Sequence, residues 1–164
     1  MATAVFVIDT SYLCELFAVP GCSTPVAIIE VRRRFREAAE TGGRLYVTLP
    51  AIFEVAGHIA NVADGRVRRE LSEKLRDAVV GSIDQTLPWN LLPSLSNEAV
   101  KQLLAAFVEQ AGAGMSFVDI TLVDEARRLR QTTYRGPAWR VHIWTKDREI
   151  KAWEPDNESN AFLG

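Results

Sequence analysis

Short apolar runs alternate with longer amphipathic stretches along the chain. Residues 5–8, 45–48 and 141–145 are dominated by apolar and β-branched side chains, and Leu91 and Leu92 form a shorter run. Continuous apolar runs of this length are typical of strands buried on both faces of a parallel sheet. The pattern therefore predicts three strands and a short additional one near Leu91.

The stretches between these runs predict helices. Helical spacing or boundary residues place them at about 10–17, 25–40, 50–62, 66–85, 100–108 and 117–131. Pro25 and Pro50 suit first helical turns, and Thr10, Ser11 and Ser116 are candidate caps. Strands alternating with helices predict a three-layer α/β/α sandwich around a mostly parallel sheet. We expect a single domain over residues 1–164, with a helical extension at about 66–96 and a polar tail at about 154–164.

Composition narrows the class of protein without assigning a function. The chain has 164 residues, 48% of them hydrophobic, and a net charge of -2. No apolar stretch approaches the roughly 20 residues that span a bilayer. Cys14 and Cys22 are the only cysteines, and no histidine pair stands at metal-ligand spacing beside them. We therefore expect a cytoplasmic protein with reduced thiols, no membrane association and no zinc site.

Two acids follow predicted strands directly. Asp9 comes after the run at residues 5–8, and Asp147 comes just past the run at residues 141–145. Ligands of open parallel sheets bind at the carboxyl ends of the strands, near the point where the strand order reverses. Helix capping or a turn is the alternative explanation for each acid taken alone.

Glu54 lies in a predicted helix that is apolar almost all round. Such a helix is expected to be buried, and a buried carboxylate needs a metal, a basic partner or a cleft. His58, one turn further on, is a candidate partner, so a simple Glu54–His58 pair or an exposed helix edge remains an alternative.

Asp119 also has apolar neighbours, although the helix macrodipole would favour an acid there in any case. Asp124 and Glu125 precede a basic segment, and we expect both on the surface. If Asp9, Glu54, Asp119 and Asp147 meet, their repulsion requires a divalent cation. Oxygen ligands favour Mg²⁺ or Mn²⁺.

Four segments in order resemble PIN-domain proteins. They are VFVIDTSYL, LPAIFEVAGHI, GMSFVDITLVDEARRL and VHIWTKDREI, and they span residues 5 to about 150. The resemblance implies a central parallel sheet with an acidic pocket at its carboxyl edge and a metal-dependent ribonuclease activity. It makes Asp9, Glu54, Asp119 and Asp147 the catalytic metal ligands and Thr145 a residue that orients a water or a carboxylate. Ser116 and Thr10 are further supporting candidates, although capping explains them equally well.

The family includes VapC-like toxins of bacterial toxin–antitoxin pairs. The resemblance therefore implies an RNA substrate, with an antitoxin protein and a homodimer as partners. The charged segment at about 66–96 and the acidic tail depart from compact toxins. A PIN-fold scaffold or a metal-binding interaction module without nuclease activity is the alternative.

Basic residues late in the chain are candidates for substrate binding. They are Arg127, Arg130, Arg135 and Arg140, and Tyr134 and Trp139 lie among them as candidates for stacking on unpaired bases. The alternative is that these charges simply form solvated helix faces.

Overall fold

Four parallel strands form the central sheet of the computed structural model, which describes residues 1–164. They are β1 (Thr3–Ile8), β2 (Arg44–Val47), β3 (Trp89–Leu91) and β4 (Trp139–Trp144), in the order β3-β2-β1-β4. The predicted strands are confirmed, but β3 begins earlier than the Leu91–Leu92 pair suggested. Leu92 lies just past β3, where its backbone N–H donates to the carbonyl of Val47.

Seven α-helices connect and flank the strands. They are α1 (Thr10–Leu16), α2 (Pro25–Glu40), α3 (Leu49–Ala60), α4 (Gly65–Ile83), α5 (Asn97–Gln110), α6 (Phe117–Thr132) and α7 (Arg148–Lys151), with a 3-10 turn at Ala111–Ala113. Side chains that accept from free N–H groups begin most of them, as Ser116 does for α6. Asp9 caps α1, so the prediction that Thr10 or Ser11 caps it was wrong. No single helix is both long and apolar enough to cross a membrane.

Two apolar cores pack on opposite faces of the sheet. Phe6 and Ile8 of β1 face a core with α1 to α4, whereas Val5 and Val7 face a second core with α5 and α6. This split follows from the alternation of side chains along a strand. The three-layer α/β/α sandwich predicted from the sequence is confirmed.

The strand order reverses beside β1. The chain runs from β1 outward to β2 and β3, then returns through α5 and α6 to place β4 on the other side of β1. The carboxyl ends of β1 and β4 therefore flank a topological switch point, where open α/β sheets form their ligand crevices. Ile8 pairs with Trp144, so the residues that follow these two strands meet at that crevice.

The C-terminal tail covers the free edge of β4. The backbone N–H groups of Val141 and Ile143 donate to the side chains of Asp156 (2.8 Å) and Glu154 (3.1 Å). Tyr12 donates from its hydroxyl to the carbonyl of Phe162, which anchors the tail further along. The tail that looked merely polar in the sequence thus satisfies an edge strand that would otherwise expose its hydrogen-bonding groups.

Candidate metal centre

Asp9, Glu54, Asp119 and Asp147 line one open cleft at the carboxyl edge of the sheet. The cleft has a volume of about 290 Å³, and its walls come from the segments that follow β1 and β4 and from α3 and α6. These four acids are up to 138 positions apart in the sequence (147 minus 9), and the fold brings them to one place.

Asp9 is the most enclosed of the four acids, with 7% of its surface exposed. Its Oδ1 accepts from the backbone N–H of Thr10, and its Oδ2 accepts from the hydroxyls of Ser11 (2.7 Å) and Thr145 (2.8 Å). Burial raises the pKa of Asp9, the two hydroxyls oppose that shift, and the nearby charge of Asp119 adds to it. The carboxylate is therefore held in a fixed orientation in a setting that lacks positive charge.

Two hydroxyls connect Asp9 to the end of β4. Thr145 donates to Asp9 and accepts from the backbone N–H of Asp147 (3.0 Å). Ser11 likewise donates to Asp9 and accepts from the N–H of Lys146 (3.0 Å). Thr145 lies where the sequence placed a supporting residue. Ser11 was not among the predicted site residues, because a Ser two positions after a strand-end Asp is also common in turns.

Glu54 is exposed to the cleft, so the prediction that it is buried was wrong. Only one face of α3 packs into the core, through Ala51, Val55 and Ile59, while Phe53 is 66% exposed. The compensating partner of Glu54 is the hydroxyl of Thr10, which donates to Oε2 at 2.5 Å. The alternative Glu54–His58 pair does not form.

Asp119 and Asp147 each cap a helix with one oxygen. Asp119 Oδ2 accepts from the N–H of Ser116 in a capping box, and Asp147 Oδ1 accepts from the N–H of Glu149 and of Ile150. Capping accounts fully for Ser116. It leaves the second oxygen of each aspartate without a hydrogen bond, so capping and metal binding are compatible.

None of the four acids takes part in an ion pair, although Lys146 lines the same cleft. The ammonium group of Lys146 pairs instead with Glu15, a fully buried residue of α1 that also accepts from the backbone N–H of Thr24. Glu15 thus holds the only cation of the cleft wall away from Asp9. The four acids remain available to a metal.

The donor set fits a hard divalent cation. All candidate ligands are carboxylate and hydroxyl oxygens, which suit Mg²⁺ and Mn²⁺ better than zinc. No three of the four carboxylates bring their oxygens within 4.8 Å of one another. Magnesium usually keeps several waters and takes only one or two carboxylates directly, so this spacing suits binding partly through water.

A second group of ligand atoms lies in the same cleft. The thiols of Cys14 and Cys22 and a ring nitrogen of His58 all lie within 4.8 Å of one another. The sequence predicted no such group because the three residues come from α1, the loop after it and α3. Their spacing matches no local zinc motif.

Most of the predicted substrate-binding residues lie away from the cleft. Arg130 pairs with Asp156 at 2.8 Å, and Arg127 lies over the ring of Trp153. Arg140 is at the start of β4, about 13 Å along the strand from Trp144. Arg135 follows the far end of α6, roughly 24 Å from its first turn. The fold does not bring these arginines and the acids together.

Other sequence expectations also need correction. Tyr134 is buried, and its hydroxyl bonds that of Tyr46 at 2.6 Å, so its ring is not free to stack on a base. Glu125 is buried and paired with Arg128, whereas Asp124 is exposed as expected. Tyr134 lies just past α6 and belongs to the second apolar core, and Glu125 is one of the buried residues of α6. No protein-family model and no curated protein matches this chain.

Proposed function

We propose that this protein is a magnesium- or manganese-dependent endoribonuclease that hydrolyses phosphodiester bonds of RNA. One observation carries the proposal: four acids from four segments meet in one cleft at the switch point, and none is neutralised by a basic residue. Like charges gathered in this way favour a divalent cation. When bound, such an ion supplies a water of lowered pKa and positive charge for the phosphate oxygens.

The residues of the cleft have distinct roles in this proposal. Asp9 is the fixed ligand, since three donors set its orientation. Glu54, Asp119 and Asp147 hold the ion directly or through water, and Thr10 positions Glu54. Thr145 and Ser11 position Asp9 rather than contact substrate. No side chain is needed as the nucleophile.

RNA as the substrate, and the roles of toxin, antitoxin partner and homodimer, derive from the resemblance to PIN-domain proteins. The cleft itself favours phosphodiester chemistry without distinguishing RNA from single-stranded DNA. Phosphate contacts would come from the exposed Arg148 of α7, which directly follows Asp147, rather than from Arg135 or Arg140.

The direct test is a cleavage assay with the purified chain. End-labelled single-stranded RNA, a hairpin RNA and single-stranded DNA of the same sequence are incubated with Mg²⁺, with Mn²⁺ and with a chelator. We expect internal cuts in RNA with either metal and none with chelator. Absence of metal-dependent cleavage on every substrate would overturn the proposal and favour the scaffold. Cleavage that persists with chelator would exclude the metal mechanism.

A further inference from the structure

Cys14, Cys22 and His58 form a second set of potential ligands that the four acids do not use. Their ligand atoms lie within 4.8 Å of one another. Neither cysteine forms a disulfide, and the ring of His58 makes no hydrogen bond or ion pair within the chain. Three soft or borderline donors converge in one open cleft, and the ring nitrogens of one have no partner there.

The packing of α1 against α3 creates this convergence. Thr10 and Cys14 are one helical turn apart on α1, and Glu54 and His58 are one turn apart on α3. Thr10 bonds Glu54 across the interface, so Cys14 and His58 come together one turn further along. Glu54, one of the four acids, and the soft ligands Cys14 and His58 therefore lie on successive turns of the same helix pair.

The loop between α1 and α2 holds Cys22 in place. Gly21 has a φ of 90°, which only glycine adopts readily, and the Cys22 N–H donates to the carbonyl of the buried Val19. The Ser23 hydroxyl donates to the same carbonyl at 2.7 Å, and the Thr24 N–H donates to Glu15. The thiol of Cys22 is thus presented to Cys14 by a loop with its own hydrogen bonds.

We propose that Cys14, Cys22 and His58 bind one zinc ion, with the fourth coordination position open to the cleft. Two thiolates and one imidazole form a donor set found in zinc sites that keep an exchangeable position. Binding replaces the two thiol protons, which pass to solvent, with two Zn–S bonds, and no electron is transferred. This site is independent of the proposed nuclease activity, because its ligands are sulfur and nitrogen rather than oxygen.

Cobalt titration of the reduced, metal-stripped full chain tests this site. Co²⁺ replaces zinc and absorbs light through thiolate-to-cobalt charge transfer, so the probe reports sulfur ligation directly. We expect this absorption to saturate at one Co²⁺ per chain and to disappear when Zn²⁺ is added. Cys22→Ser and His58→Ala should each weaken binding by roughly a hundredfold, since ligand loss costs at least as much as loss of a supporting contact.

Asp124→Asn is the matched control, because Asp124 is an exposed acid of α6 that belongs to neither ligand set. Its charge-transfer band should saturate with Co²⁺ as the parent's does. Cys22→Ser is preferred to replacement of the buried Cys14, which would also disturb the core. Two results would overturn the proposal: no charge-transfer band in the reduced parent, or undiminished binding by both ligand variants.

Discussion

Two groups of acids lie near β4, and they differ in whether basic side chains neutralise them. The cleft acids at the carboxyl edge, Asp9, Glu54, Asp119 and Asp147, have no basic partners. The tail acids, Glu154, Asp156 and Glu158, are each paired with a cation: Lys151, Arg130 and both Arg34 and Lys151, respectively. The difference indicates that a charge neutralised within the chain serves the fold, whereas a charge left unpaired is available to a ligand.

The pKa values of Asp9 and Glu154, one acid from each group, move in opposite directions. Burial raises the pKa of Asp9, and its hydroxyl partners do not reverse that shift. Burial also acts to raise the pKa of Glu154, but bonds from His142, Lys151 and the N–H of Glu158 lower it overall. Burial thus accompanies a site short of positive charge around Asp9 and a satisfied structural contact around Glu154.

Asp147→Asn should show the largest effect on the rate of RNA cleavage. It distinguishes the role of Asp147 as a metal ligand from its role as the N-cap of α7. Asn caps a helix as well as Asp does, so α7 should persist while metal-dependent RNA cleavage falls by roughly a hundredfold or more. Initial cleavage rates at fixed Mg²⁺ measure the loss, with the exposed Asp124→Asn as the matched control. Equal rates for both variants and the parent would remove Asp147 from the site. Asp9→Asn is less informative, because Asn cannot accept from Thr10, Ser11 and Thr145 together.

Magnesium should stabilise the parent and not the Asp147→Asn variant. Ligand binding to the folded state adds about 2.7 kcal/mol at a concentration one hundred times Kd. Thermal unfolding with and without Mg²⁺ measures this gain. Because burial raises the pKa of Asp9, protons compete with the metal, and the gain should shrink as the pH falls. A gain that survives in the variant would place the ion elsewhere.

Glu158→Gln should lower the free energy of unfolding without changing the cleavage activity. The carboxylate of Glu158 accepts from Arg34, Lys151 and the indole N–H of Trp144, so loss of its charge should cost about 2 kcal/mol. Urea unfolding measures the cost, with the exposed and unpaired Glu109→Gln as the control. The cleavage rate under folded conditions should not change. If it falls as far as in Asp147→Asn, the two groups of acids are not functionally distinct.

The smallest expected effect concerns pH. The folded pKa of Glu154 lies below its usual value of 4.5, so its contribution is present above about pH 4.5 and is lost as the pH falls through the lower folded pKa. Unfolding free energies between neutral and acidic pH should decline less steeply for Glu154→Gln than for the parent. Identical slopes would show that the hydrogen-bond partners of Glu154 do not stabilise its ionised form.

The sequence by itself determined the fold class and most elements of this protein. Runs such as residues 5–8 are short, continuous and apolar, which requires burial on both faces of a parallel sheet. Their positions at strand ends also predicted that Asp9 and Asp147 lie in one crevice, because the carboxyl ends of parallel strands lie at one edge of the sheet. These inferences depend on local sequence or on periodicity, so they can be made without knowing how the helices and strands pack.

Tertiary structure alone decided which side chains are partners. The sequence could not show that α3 buries only one face and exposes Glu54, or that Glu15 rather than Asp9 takes Lys146. It could not place His58 beside two cysteines, or show that tail carboxylates cover the edge of β4. Each of these facts depends on how distant elements pack, because contacts between residues far apart in the chain leave no periodic signal in a single sequence.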